Sequence, residues 1–146
     1  MIELVRDIMI KDVLTISENE TALKAAQLMT EKGVSSLIVL SDDQPIGIVT
    51  ERDFIKKICL KELKLSNVRV GDMMSRIRTS ASPDIPIDVA VQRMVNNRIR
   101  RLPIFENGKV VGIITVTDLA KHLRTILLLN STLSASHLSQ STLESY

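Results

Sequence analysis

Two short stretches of this chain carry hydroxyl and carboxylate side chains at the same spacing: Thr50-Glu51-Arg52-Asp53 and Thr115-Val116-Thr117-Asp118. Each follows a glycine and an apolar pair, Gly47-Ile48-Val49 and Gly112-Ile113-Ile114. The pattern predicts a buried strand running into the first turn of a helix, with the glycine permitting close backbone approach. Taken singly, Thr-x-x-Asp is near a capping box, whose side chains satisfy the orphan N–H groups of a helix start. Other chemistry is thinly represented. Cys59 is the only cysteine, so no disulfide framework or thiolate metal cluster can form, and it reads as a small buried residue on a helix. His122 and His137 lack a second ligand pair nearby and read as surface or tail residues. No Ser/His/Asp or Cys/His constellation can be assembled, so no catalytic residue is assigned and no enzyme is expected.

The elements that position the two motifs are themselves duplicated. Thr50 to Thr115 and Asp53 to Asp118 are both steps of 65, and the same step carries Val5, Asp7 and Met9 onto Val70, Asp72 and Met74. It also carries Ala25, Gln27 and Met29 onto Ala90, Gln92 and Met94, and Leu37 onto Leu102. Two copies are too few for a solenoid and predict a pseudo-symmetric pair sharing a core. Within each copy the pattern reads strand, helix, strand, strand, helix. Ala22, Ala25, Ala26 and Met29 form one helical stripe closed by Gly33, and Ile87, Ala90, Val91, Met94 and Val95 form the other. Asn107-Gly108 marks the second hairpin. The predicted class is α+β: two units, each a small three-stranded sheet with helices on one face, packed as a pseudo-two-fold pair. The first unit covers 1–62 and the second 66–125, with 126–146 a helical extension and a flexible serine-rich tail.

Composition narrows the function. A formal net charge of +2 and an aromatic content of 2% disfavour nucleic acid, which needs phosphate neutralisation and stacking platforms. The start of the chain lacks a signal pattern and no apolar run reaches membrane length, so a cytoplasmic protein without membrane attachment is expected.

The duplicated unit, ending in Gly-apolar-apolar-Thr-x-x-Asp, resembles the cystathionine β-synthase (CBS) domain, and the tandem over about residues 1–125 resembles a Bateman module. The resemblance implies clefts between the two units that bind adenosine-containing ligands: AMP, ADP, ATP or S-adenosylmethionine. No cofactor is required. Asp118 would accept hydrogen bonds from both ribose hydroxyls. Thr115 and Thr117 would donate to phosphate or ribose oxygens at a helix start that already favours an anion. Arg100 and Arg101, just before the strand Leu102-Pro103-Ile104, would contact phosphates. In the family's cross-over arrangement the second motif, with Ile113 and Pro103 near it, takes its adenine walls from Met9, Lys11, Val13 and Leu14, with Val34 and Ser35.

A first pocket, centred on Thr50 and Asp53, would be walled by Arg78, Thr79, Ile99 and Arg100. The first copy departs from the pattern: Arg52 stands where Thr117 stands, and Ser35 and Ser36 replace Arg100 and Arg101. Weaker or different binding is expected there. The reading is a stand-alone regulatory protein that senses an adenosine ligand and acts through ligand-dependent contacts, with a regulated protein partner possible. The alternative is a degenerate pair serving as an interaction module without ligand. A homodimer is expected through the helices around Phe54, Ile58, Leu119 and Leu123.

Overall fold

The computed structural model describes residues 3–144, with 136–144 as backbone alone. The first repeat contains α1 (Val5–Ile8), β1 (Thr15–Ser17), α2 (Ala22–Lys32), β2 (Ser36–Ser41), β3 (Gln44–Thr50) and α3 (Glu51–Phe54). A π turn over Ile55–Cys59 prolongs α3. The second repeat contains α4 (Val70–Met73), β4 (Ser75–Arg76), α5 (Ile87–Asn97), β5 (Arg101–Glu106), β6 (Lys109–Thr115) and α6 (Val116–Glu144).

Local chemistry sets these bounds. Thr21 caps α2 by accepting from the Lys24 N–H at 3.2 Å, and Gly33 ends it in the left-handed region at φ 65°. Both hairpins turn through two consecutive residues of positive φ, Asp42-Asp43 in one and Asn107-Gly108 in the other. Ala22, Ala25 and Met29 are buried as the stripe predicts. On α5 only Ala90 and Met94 are buried; Val91 and Val95 are exposed, because that helix lies on the core by a narrower face.

The sheets show an exchange that the repeat pattern does not. In the first, β1 runs parallel to β2, β2 antiparallel to β3, and β3 pairs with β4, which comes from the second repeat. The hairpin β5–β6 is edged in the same way: Ala81 bridges Ile104 in parallel, and Ile10, from the first repeat, bridges Ile113. The cores follow suit. Val5 belongs to the cluster of Ala90, Leu102 and Ile114, while Val70 and Met73 belong to that of Ala25, Leu37 and Val49. Each repeat therefore lends its lead segment to the other. The Arg6–Asp84 ion pair adds an external tie, and the hydrogen bond to Asp84 holds the Arg6 guanidinium above its ordinary pKa.

The motif glycines are where these leads cross. A Cβ on Gly112 would stand 2.6 Å from Met9 Sδ, and one on Gly47 would stand 2.4 Å from Met74 Sδ. Met9 thus fills the space a side chain at 112 would need.

Three expectations change. Cys59 is exposed, because the π turn carries it off the buried face held by Ile58. Ile58 is buried in the first core and presents nothing to a partner. The chain beyond Leu129 continues α6 to Glu144 rather than opening as a flexible tail, and Ser145 and Tyr146 lie outside the described residues. No glycine or proline interrupts Val116–Glu144, and Thr125 and Thr132 return their hydroxyls to the carbonyls of Lys121 and Leu128. Among the described residues no helix is long and apolar enough to cross a membrane.

Candidate functional site

β6 ends at Thr115 and α6 begins at Val116, so the motif sits at a strand-to-helix corner where backbone N–H groups lack helical partners. Asp118 Oδ2 accepts the Thr115 N–H at 2.9 Å and the Thr115 hydroxyl at 2.7 Å, and the Asp118 N–H donates to Thr115 Oγ1 at 3.1 Å. The capping box is therefore complete, and it uses one carboxylate oxygen. Oδ1 has no partner among the described residues.

A cleft of about 450 Å³ opens beside it. Thr115, Thr117, Asp118 and Ile113 line one side, and Val13, Leu14, Val34 and Ser35 the other. Arg101 enters from β5, its Nη2 donating to Ser35 Oγ at 2.8 Å, and its Nε is buried without a partner. These nine residues of the sequence-based set come together here. Ile10, Asp12, Ser36 and Lys121 join them; Ile10 is brought in by the exchange of lead segments, which the repeat alone does not reveal. Met9 lies behind the wall against Gly112, and Lys11 is exposed outside the lining. Arg100 and Pro103 line the space on the other side of Arg101.

That space is the first motif's cleft. A volume of about 480 Å³ is lined by Asp53, Arg78, Thr79, Ile99 and Pro103 among others, and an adjoining one of about 360 Å³ by Thr50, Ile99 and Arg100. Residues named from the sequence for this cleft therefore line it, yet the carboxylate differs. Asp53 Oδ2 accepts the Thr50 N–H at 2.9 Å, as in the other copy. Its Oδ1 accepts the Ser75 hydroxyl at 2.9 Å and lies 3.0 Å from Lys57 Nζ. Lys57 also donates to the carbonyls of Met73 and Met74 at 2.8 and 3.0 Å. Asp53 is buried and saturated by the protein itself. Sequence reasoning missed Lys57; the available signal was the step of 65, which places Lys57 opposite His122 and Ser75 opposite Ile10. His122 pairs with Glu3 instead, leaving Asp118 alone.

Two apolar grooves are related by the same step. Met29, Gly33, Phe54 and Ile55 line one of about 640 Å³, and Met94, Arg98, Leu119 and Val116 line one of about 440 Å³. Neither contains the motif threonines or aspartates. Among the described residues no group of His, Cys, Asp and Glu could hold a metal ion.

The model of the CBS domain family matches this chain twice, at residues 5–59 and 70–125. An uncharacterized protein of Methanopyrus kandleri is 40% identical over 75% of the chain, which spans 57% of that relative. A homoserine O-acetyltransferase of Methanosalsum zhilinae is 37% identical over 80% of the chain, which spans 23% of the enzyme. Among solved structures, a CBS domain pair in complex with methylthioadenosine and S-adenosyl-L-methionine superposes with a TM-score of 0.76. It covers 86% of this chain and 98% of its own at 24% identity, a likeness of fold.

Proposed function

The chain belongs to the CBS domain family, and from that premise we propose that it is a non-catalytic regulatory protein whose Asp118 cleft binds an adenosine-containing ligand. The observation that carries this reading is the Asp118 carboxylate, capped through Oδ2 and open at Oδ1 to a cleft of about 450 Å³. A carboxylate so placed accepts from vicinal ribose hydroxyls. Thr117 adds a hydroxyl donor at the start of a 29-residue helix, where the dipole favours a phosphate or another electron-rich group, whereas the Thr115 hydroxyl, expected from the sequence to donate to the ligand, is already given to Asp118 Oδ2. Val13, Leu14, Val34 and Ile113 supply apolar faces for a purine. Arg101 and Lys121 stand against Asp12 and Asp118, so the cleft is near charge balance and suits a nucleoside or a monophosphate better than a triphosphate. The ligands of the solved domain pair, both adenosine compounds, support the same class.

Regulation follows from the way the cleft is assembled. Its walls come from both repeats, so a ligand there favours one arrangement of the two over others. The apolar grooves, flanked by exposed Ile55, Leu60, Val95 and Leu123, are the faces on which a second copy would pack, giving a homodimer. Isothermal titration with adenosine, AMP, ADP, ATP and S-adenosylmethionine tests the reading. At least one should bind at micromolar concentration, a free energy of about 8 kcal/mol. Silence from all of them would favour the ligand-free interaction module. Incubation with ATP and Mg²⁺ should yield no product, and light scattering at micromolar protein should give a dimer mass.

A further inference from the structure

The cleft of the first motif differs from that of the second in charge as well as in its carboxylate. Arg52, Lys56, Arg76, Arg78, Arg98 and Arg101 line its 480 Å³ portion, and none of them forms an ion pair among the described residues. The one carboxylate in that lining, Asp53, is neutralised by Lys57 and occupied by Ser75. With a formal net charge of only +2 on the whole chain, this concentration of cations is local rather than compositional. Low-dielectric walls lined by one sign of charge focus the field and attract a counter-ion.

Two further observations point the same way. Arg98 ends α5 in the left-handed region at φ 53°, where the equivalent cap of α2 is Gly33. Glycine adopts that conformation without penalty, and the chain instead holds an exposed arginine whose side chain lines the cleft. Arg101 stands between the two clefts with its Nε buried and unpartnered.

We propose that the first cleft is a polyphosphate site. It recognises a chain of phosphoryl groups, free or as the tail of a nucleotide, through guanidinium contacts, and needs no nucleoside. Asp53 has no oxygen to spare for a ribose diol, whereas planar guanidinium groups fit phosphate oxygens two at a time. The proposal is independent of the nucleoside reading of the Asp118 cleft, and either can fail alone.

The test uses the full chain carrying Asp118→Ala, which weakens the other cleft, titrated with sodium tripolyphosphate, ATP and adenosine. Tripolyphosphate should bind as tightly as to the unsubstituted chain, ATP within a few-fold of it, and adenosine about tenfold or more weaker than to the unsubstituted chain. Affinity should fall as salt rises. Arg78→Ala and Arg98→Gly should each weaken tripolyphosphate about tenfold or more, as expected for a lost hydrogen bond to a charged group. Arg98→Gly should do so without lowering the melting temperature, since glycine suits that backbone, so lost binding cannot be ascribed to unfolding. Lys64→Ala, an exposed cation outside the cleft, should change nothing. Silence of tripolyphosphate overturns the proposal, as does binding of ATP where tripolyphosphate fails. Arginine variants no weaker than Lys64→Ala overturn it too, by showing diffuse surface charge rather than a site.

Discussion

The two Thr-x-x-Asp corners share a backbone and differ in what surrounds the carboxylate. Each aspartate accepts its threonine N–H at 2.9 Å, so each closes its helix start. The second leaves an oxygen facing a cleft; in the first, Lys57 and Ser75 take that oxygen, and the lysine is anchored in turn on the carbonyls of Met73 and Met74. Capping therefore occupies one carboxylate oxygen of the motif and leaves the use of the other to its surroundings. The first copy retains the cap while its carboxylate has become an internal anchor. The anchor joins the repeats, because Lys57 belongs to the first and its carbonyl partners to the second.

The largest expected effect breaks that anchor. Asp53→Ala should destabilise the fold by about 3 kcal/mol, the lower end for breaking a buried ion pair, since Lys57 is a third exposed while Asp53 is buried. Asp118→Ala loses only a cap, about 1 kcal/mol. Urea unfolding of both variants checks the order. Equal losses would mean that Lys57 and Ser75 add nothing to the first corner.

Affinity should show the reverse. Asp118→Ala should weaken the adenosine ligand by about 1.5–3 kcal/mol, the range for hydrogen bonds to a charged group, while Asp53→Ala leaves that ligand nearly unchanged. Titration of both variants with whichever adenosine compound binds best is the measurement. If Asp53→Ala costs the more affinity, the principal nucleoside cleft lies at the first motif.

Much of this was legible in the sequence because it is local or repeated. The step of 65 located both motifs, both hairpins and both long helices, and many of the residues named from the sequence line a cleft beside one motif or the other. What stayed hidden is non-local. A two-residue strand, Ser75–Arg76, has no periodicity to read, yet it edges the first sheet. The Lys57 contacts depend on where that strand lands. Exposure of Cys59 follows from a π turn, which no residue between Ile55 and Cys59 announces. Arg100 and Arg101 do not act as one pair: both line the first motif's cleft, and Arg101 alone reaches the Asp118 cleft as well.

The lead exchange gives a smaller contrast at the motif glycines. Gly47→Ala brings a Cβ to 2.4 Å from Met74 Sδ and 2.9 Å from the Ser75 carbonyl oxygen, whereas Gly112→Ala meets Met9 Sδ at 2.6 Å and the Ile10 carbonyl oxygen at 3.1 Å. A thioether can swing aside and a backbone carbonyl cannot do so cheaply. Both substitutions should cost about 1–3 kcal/mol as overpacking, with Gly47→Ala the worse. Thermal melts of the pair, repeated with Met74→Ala and Met9→Ala, should show partial rescue, more complete at Gly112. A loss at Gly112 as large as that at Gly47 would show that the sulfur contact, not the carbonyl, sets the cost.

The smallest effect separates the helix ends. α2 stops at Gly33 with φ 65° and α5 at Arg98 with φ 53°, so the same left-handed cap is held by glycine in one repeat and by a side chain in the other. Nothing lies within 4 Å of a Cβ built on Gly33, so Gly33→Ala introduces backbone strain without a clash. It should cost about 1 kcal/mol, the lower figure for an L-residue in this region. Arg98→Gly should return a similar amount, reduced by the extra freedom glycine gives the unfolded chain. Placed together, the two substitutions should nearly cancel, because the caps share no partner and distant sites add. A loss of stability in Arg98→Gly would mean that the arginine side chain holds the cap by packing, and the repeats would then end their helices by different physics.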